Sequence, residues 1–148
     1  MHHENLLTIK YILKYPFFLR YKKILVIDDD VNQLRLIKNV LLEVGLRPYC
    51  LLHPKNLKHG LDQKPHLIIL DLYADFEGTE KTEKLDELCR VLKKDFAFFE
   101  IPVMFISASE KKEDIVNALE SGANDFVKKP FFFEELLARI GVQFRILY

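Results

Sequence analysis

Cysteine is scarce in this chain: only Cys50 and Cys89 among 148 residues. Their spacing matches no metal or redox motif. They read as small apolar residues of a reducing compartment, so the expected location is cytoplasmic. Net charge is missing too. Lys and Arg number 22, Asp and Glu number 22, and the formal charge is zero. That removes any general electrostatic drive toward nucleic acid. No apolar run is long enough to span a bilayer. The most apolar stretch, Leu6 to Leu19, is broken by Lys10, Lys14 and Pro16, and it lacks the small-residue cleavage site of a secretory signal. There is no internal repeat and no low-complexity tract.

What is present is enough apolar material for one cored domain: 49% of residues are hydrophobic and 30% charged,. Residues 1–22 stand apart as a basic and apolar extension. Leu6, Ile9, Ile12 and Leu13 fall near helical spacing ahead of Pro16,. This segment is expected to pack on the domain or on a second copy of it. A basic helix on a membrane surface is the less favoured reading.

From Lys23 onward strands and helices alternate. The strands are expected at Lys23–Ile27, Arg47–Leu52, His66–Leu70, Pro102–Ser107 and Asp125–Lys128. The helices are expected near Val31–Val44, Pro54–Gln63, Glu80–Lys94 and Lys111–Ser121, with a last one from Phe133 to the end of the chain. Gly45 and Gly122 close the first and fourth helices. Leu34, Ile37, Val40, Leu41 and Val44 form the inner face of the first helix, and Ile115, Ala118 and Leu119 that of the fourth. Five such units in order imply an α/β fold, a doubly wound five-stranded parallel sheet with helices on both faces. The last helix keeps its apolar face to Tyr148 without a cap, so it is expected to lead into a further module.

Acids stand at two strand ends. Ile24-Leu25-Val26-Ile27 runs into Asp28-Asp29-Asp30, and Leu67-Ile68-Ile69-Leu70 runs into Asp71. An apolar run of four marks a strand buried on both faces. The carboxyl ends of such strands are where open α/β sheets hold their ligands. Converging carboxylates repel one another and call for a hard divalent cation such as Mg²⁺. Ser107 ends the fourth strand, and Lys129-Pro130 follows the fifth. Together they suit phosphoryl transfer. A carboxylate can accept the phosphoryl group as an acyl phosphate, and the metal, the lysine and the hydroxyl can answer the charge on its three oxygens. Pro130 would fix the chain beyond Lys129, through a trans or a cis peptide. Each residue also has a plainer reading. Asp28 and Asp30 could cap the first helix, and Phe126 could be plain core. Asp71 is hard to explain that way, because an unpaired acid at a buried strand end is costly.

The strings ILVIDDD, HLIILDL, VMFISA and DFVKKPF occur in that order. Over residues 23–145 the chain resembles the receiver domain of bacterial two-component response regulators. The resemblance implies a flavodoxin-like sheet of strand order 2-1-3-4-5. It also implies that Asp71 is the phosphoacceptor. Asp29 would bind Mg²⁺ directly, with Asp28 supporting it and the backbone carbonyl of Tyr73 adding a contact. Ser107 would follow the phosphoryl group, Lys129 would pair with it, and Phe126 would be an aromatic switch. The implied donor is a histidine kinase or phosphotransfer protein. The implied output face is the fourth helix, fifth strand and fifth helix, open to homodimerisation or to an output domain. Such a domain is a signalling phosphoacceptor rather than an enzyme with a diffusible substrate.

The chain departs from this pattern after Asp71. The segment Leu72-Tyr73-Ala74-Asp75-Phe76-Glu77-Gly78 lacks the usual proline, which is expected to alter the lifetime of the acyl phosphate. The alternative function is a haloacid-dehalogenase-type phosphatase using Asp28 and Asp30. It lacks the late acidic pair and leaves Asp71 and Lys129 unexplained.

Overall fold

The computed structural model describes residues 21–71 and 85–147. The expectations for residues 1–20, for Tyr73 and for the loop after Asp71 lie outside them. Five strands form one parallel sheet of order β2-β1-β3-β4-β5. They are β1 (Lys23–Ile27), β2 (Arg47–Leu51), β3 (Leu67–Asp71), β4 (Val103–Ser107) and β5 (Asp125–Lys128). The helices are α1 (Val31–Glu43), α2 (Leu57–Asp62), α3 (Leu85–Lys94), α4 (Lys112–Glu120) and α5 (Phe133–Leu147).

The sheet divides the core in two because strand side chains alternate between its faces. Ile24, Val26, Leu67, Ile69, Met104, Ile106 and Val127 pack with α1 and α5 through Ile37, Leu41, Leu137 and Ile140. Leu25, Ile27, Ile68, Leu70 and Phe105 pack on the other face with Cys89 and Leu92 of α3 and Ala118 of α4. Both faces of β1, β3 and β4 are therefore covered, which is why these strands read as unbroken apolar runs.

Several boundaries differ from expectation. Asp71 is the last residue of β3 rather than the residue after it. The second helix is split: a 3₁₀ turn at Pro54–Asn56 precedes α2, and the His53 side chain accepts the Lys55 N–H at 2.9 Å. Leu119 was expected to face inward but is 47% exposed, and Ala118 alone of α4 is fully buried. Gly45 and Gly122 close α1 and α4 with φ of 87° and 104°. Both lie in the left-handed region that glycine enters without strain.

A side chain closes the lower end of the β1–β3 pairing. His66 Nδ1 accepts the Lys23 N–H at 2.9 Å, and the His66 N–H donates to the Lys23 carbonyl at 2.8 Å. This bond needs a neutral imidazole. Burial, together with the nearby Lys22 and Lys23 charges, lowers the His66 pKa below 6.5. The unfolded chain therefore binds the proton first as pH falls, and the stability from this bond is lost below about pH 6.5. The stability advantage of the parent over His66→Gln, read as a urea midpoint, should be larger at pH 7.5 than at pH 5.5. Equal advantages at both pH values would refute this role.

Candidate functional site

All five strands run in one direction, so their carboxyl ends share one edge of the sheet. The chain leaves β1 toward β2 on one side, while β3 pairs on the other. The reversal opens a crevice at the ends of β1 and β3. Asp28 and Asp29 follow β1 directly, and Asp71 ends β3. Ligand oxygens of these three carboxylates all lie within 4.8 Å of one another.

Each acid is held differently. Asp28 is 2% exposed. Its backbone N–H donates to the Leu51 carbonyl at 3.2 Å, and its Oδ1 accepts the Asp30 N–H at 3.0 Å. Burial pushes its carboxyl up to about 7. The Asp30 N–H opposes this, the Asp71 charge adds to it, and Lys129 opposes it,. Asp29 is exposed. Asp30 caps α1, its Oδ1 accepting from the N–H groups of Asn32 (2.9 Å) and Gln33 (3.2 Å),.

Lys129 reaches into the same crevice. Its Nζ lies 2.6 Å from Asp71 Oδ2. Its N–H donates to the Ser107 carbonyl at 2.7 Å, extending the β4–β5 ladder past Lys128. The Lys129–Pro130 peptide is cis. Lys128 points away and lies 3.6 Å from Glu110. Ser107 is fully buried at the end of β4, and Asp71 pairs in register with Ile106 beside it. Phe126 is half-buried against the α3–α4 side of the core.

Three clustered carboxylates, two of them buried, make an all-oxygen donor set of high negative charge. Lys129 supplies one compensating cation. The burial and mutual repulsion that raise Asp28 are relieved by a hard divalent ion, so the residues present fit Mg²⁺.

The family model of the response regulator receiver domain matches residues 24–141. The chain belongs to this family. It is 33% identical over 123 residues to the nisin biosynthesis regulatory protein NisR of Lactococcus lactis subsp. lactis, covering 80% of this chain and 48% of that protein. It is also 33% identical over 128 residues to the phosphate regulon transcriptional regulatory protein PhoB of Pseudomonas aeruginosa, covering 84% and 52%. Among solved structures, the BeF₃-activated DrrB receiver domain superposes with a TM-score of 0.69 at 28% identity, covering 84% of this chain and 97% of that one. The chain spans about half the length of these two relatives.

Family membership sets aside the phosphatase alternative, and the geometry agrees. That reading needs Asp28 and Asp30 to work together, whereas Asp30 is committed to the α1 cap and stands outside the acid cluster. The expected residues Asp28, Asp29, Asp71 and Lys129 do come together, and Ser107 is tied to Lys129 through the backbone.

Two features were missed from the sequence. A cavity of about 380 Å³ beside Lys129 is lined by Gln33, Ala108, Pro130, Phe131 and Phe133. Ser109, in the loop after Ser107, donates from its hydroxyl to Asp114 in the first turn of α4. A hydroxyl followed by charged residues ahead of an apolar-periodic run is a helix-start signal, and it could have pointed to Ser109.

Proposed function

We propose that this domain is the phosphoacceptor of a two-component phosphorelay, with Asp71 as the accepting residue. The observation that carries this is the Lys129 ammonium 2.6 Å from Asp71, within a cluster of three acids at the strand ends. A carboxylate oxygen of Asp71 attacks phosphorus. The bond from phosphorus to the donor, an imidazole nitrogen or an acetyl oxygen, breaks, and the donor leaves with its electron pair. The product is an acyl phosphate on Asp71.

The lysine already faces this oxygen, so it meets the incoming phosphoryl charge with little movement. The Ser107 hydroxyl, at the end of the neighbouring strand, turns to a phosphoryl oxygen. Asp28, Asp29 and Asp71 would hold Mg²⁺, with the Tyr73 carbonyl adding a contact; the ion supplies charge neutralisation for the transferred group. The donor is a histidine kinase or phosphotransfer protein. The face formed by α4, β5 and α5, with Phe126 beneath it, passes the change to a second copy of the chain or to an output module. Residues 1–22 are an extension to this domain. No helix among the described residues is long and apolar enough to cross a membrane.

Incubation with acetyl phosphate and Mg²⁺, followed by intact mass, should show one phosphoryl adduct per chain. The adduct should not form in EDTA. Sustained turnover of a generic phosphate ester without an adduct would overturn this function.

A further inference from the structure

Ser107 is held by a short relay that ends in α4. The Ser107 hydroxyl oxygen accepts the Ser109 N–H at 3.0 Å. The Ser109 hydroxyl donates to Asp114 Oδ2 at 2.6 Å and accepts the Lys111 N–H at 3.1 Å. Lys111 is the N-terminal boundary residue of α4, which has no side-chain cap of its own, and Asp114 lies in the first turn of the helix. Ser107, Ser109 and the start of α4 therefore form one hydrogen-bonded unit. In it the Ser107 oxygen is engaged by the β4–α4 loop, and Lys129 covers Asp71.

We infer that Ser109 and Asp114 are positioning residues that latch Ser107 in the unphosphorylated arrangement and thereby set the affinity of the site for a phosphoryl group. This rests on the phosphoacceptor reading and adds a control to it. For Ser107 to swing to a phosphoryl oxygen, its bond from the Ser109 N–H must lengthen or break. The Ser109–Asp114 bond resists this because it fixes the loop to a helix. It is charge-assisted and short, the stronger kind of hydrogen bond. A contact present only in the resting state lowers apparent affinity by the fraction of molecules it withdraws from the competent state. Removing it raises that affinity even as it weakens the resting fold.

The test uses the full chain, Mg²⁺ and beryllofluoride, a phosphoryl mimic, with affinity and melting temperature measured together. Ser109→Ala and Asp114→Ala should each bind beryllofluoride roughly 3- to 10-fold more tightly and melt at a lower temperature in its absence. The double variant should gain no more than Ser109→Ala alone, since that variant already lacks the Ser109–Asp114 bond along with the Lys111 N–H contact,. Asp114→Asn keeps an oxygen that can accept the Ser109 proton and should return affinity to within about twofold of the parent. A merely structural role would lower stability without tightening binding. If the parent binds while both alanine variants bind equally or more weakly, the latch is overturned and the phosphoacceptor reading stands. A parent that binds no beryllofluoride overturns both.

Discussion

With Asp71 replaced by Asn, the chain should take no phosphoryl group from acetyl phosphate, and the adduct seen by intact mass on the parent should vanish. An amide oxygen is a far weaker nucleophile than a carboxylate and cannot yield an acyl phosphate. Lys129 also loses the anion that its Nζ meets at 2.6 Å. The exchange keeps the side-chain shape at a position only 7% exposed. It also removes one of the mutually repelling charges. The variant should therefore fold, and unchanged urea midpoints within experimental scatter would separate lost chemistry from lost structure. An adduct of equal stoichiometry on Asp71→Asn would place the acceptor elsewhere and sink the assignment.

The second large effect has opposite signs on stability and on metal binding. Asp28 is buried, and its carboxyl sits at about 7 in the fold against 3.8 for the free group. The folded state thus binds the proton more tightly than the unfolded state. The fold suffers no penalty below about pH 4. The penalty grows as pH rises toward 7 and is constant above that. Asn carries no charge and escapes it. In EDTA at pH 8, Asp28→Asn should melt above the parent; each ~1 kcal/mol gained is worth about 4 °C in a domain of this size. The difference should close at pH 4. Excess Mg²⁺ should reverse the order at pH 8, because the ion would stabilise the parent more, the variant offering it a neutral amide oxygen in place of an anionic one. A loss of about 1.4 kcal/mol in ion binding is a tenfold weaker affinity. If the variant melts below the parent in EDTA at pH 8, Asp28 is not a strained site acid. Stability given up at a functional site in exchange for ligand binding is a familiar compromise.

Much of the fold was legible because β1, β3 and β4 are covered on both faces. Such strands must be apolar at every position, and Ile24–Ile27, Leu67–Leu70 and Val103–Ile106 are. The Asp30 cap and the closing roles of Gly45 and Gly122 were legible for a local reason: each depends on residues within a turn of chain. The errors arose where local pattern and tertiary packing part. Leu119 fits the α4 periodicity but stays about half-exposed, since α4 meets the sheet through Ala118. Pro54 and the His53 cap favour a 3₁₀ turn ahead of α2, which periodicity alone does not resolve.

By itself, the order of apolar runs and terminal polar residues determined that Asp28, Asp29, Asp71, Ser107 and Lys129 would share one edge of a parallel sheet. That follows from strand direction, which the alternation of strands and helices dictates. Only the tertiary structure decided the surroundings of each. It buries Asp28 until its carboxyl rises to about 7 and leaves Asp29 in solvent. It brings Lys129 onto Asp71 across 58 residues of chain, and it ties Ser107 to α4 through Ser109. Desolvation and charge pairing depend on distances through space, and no one-dimensional pattern carries them.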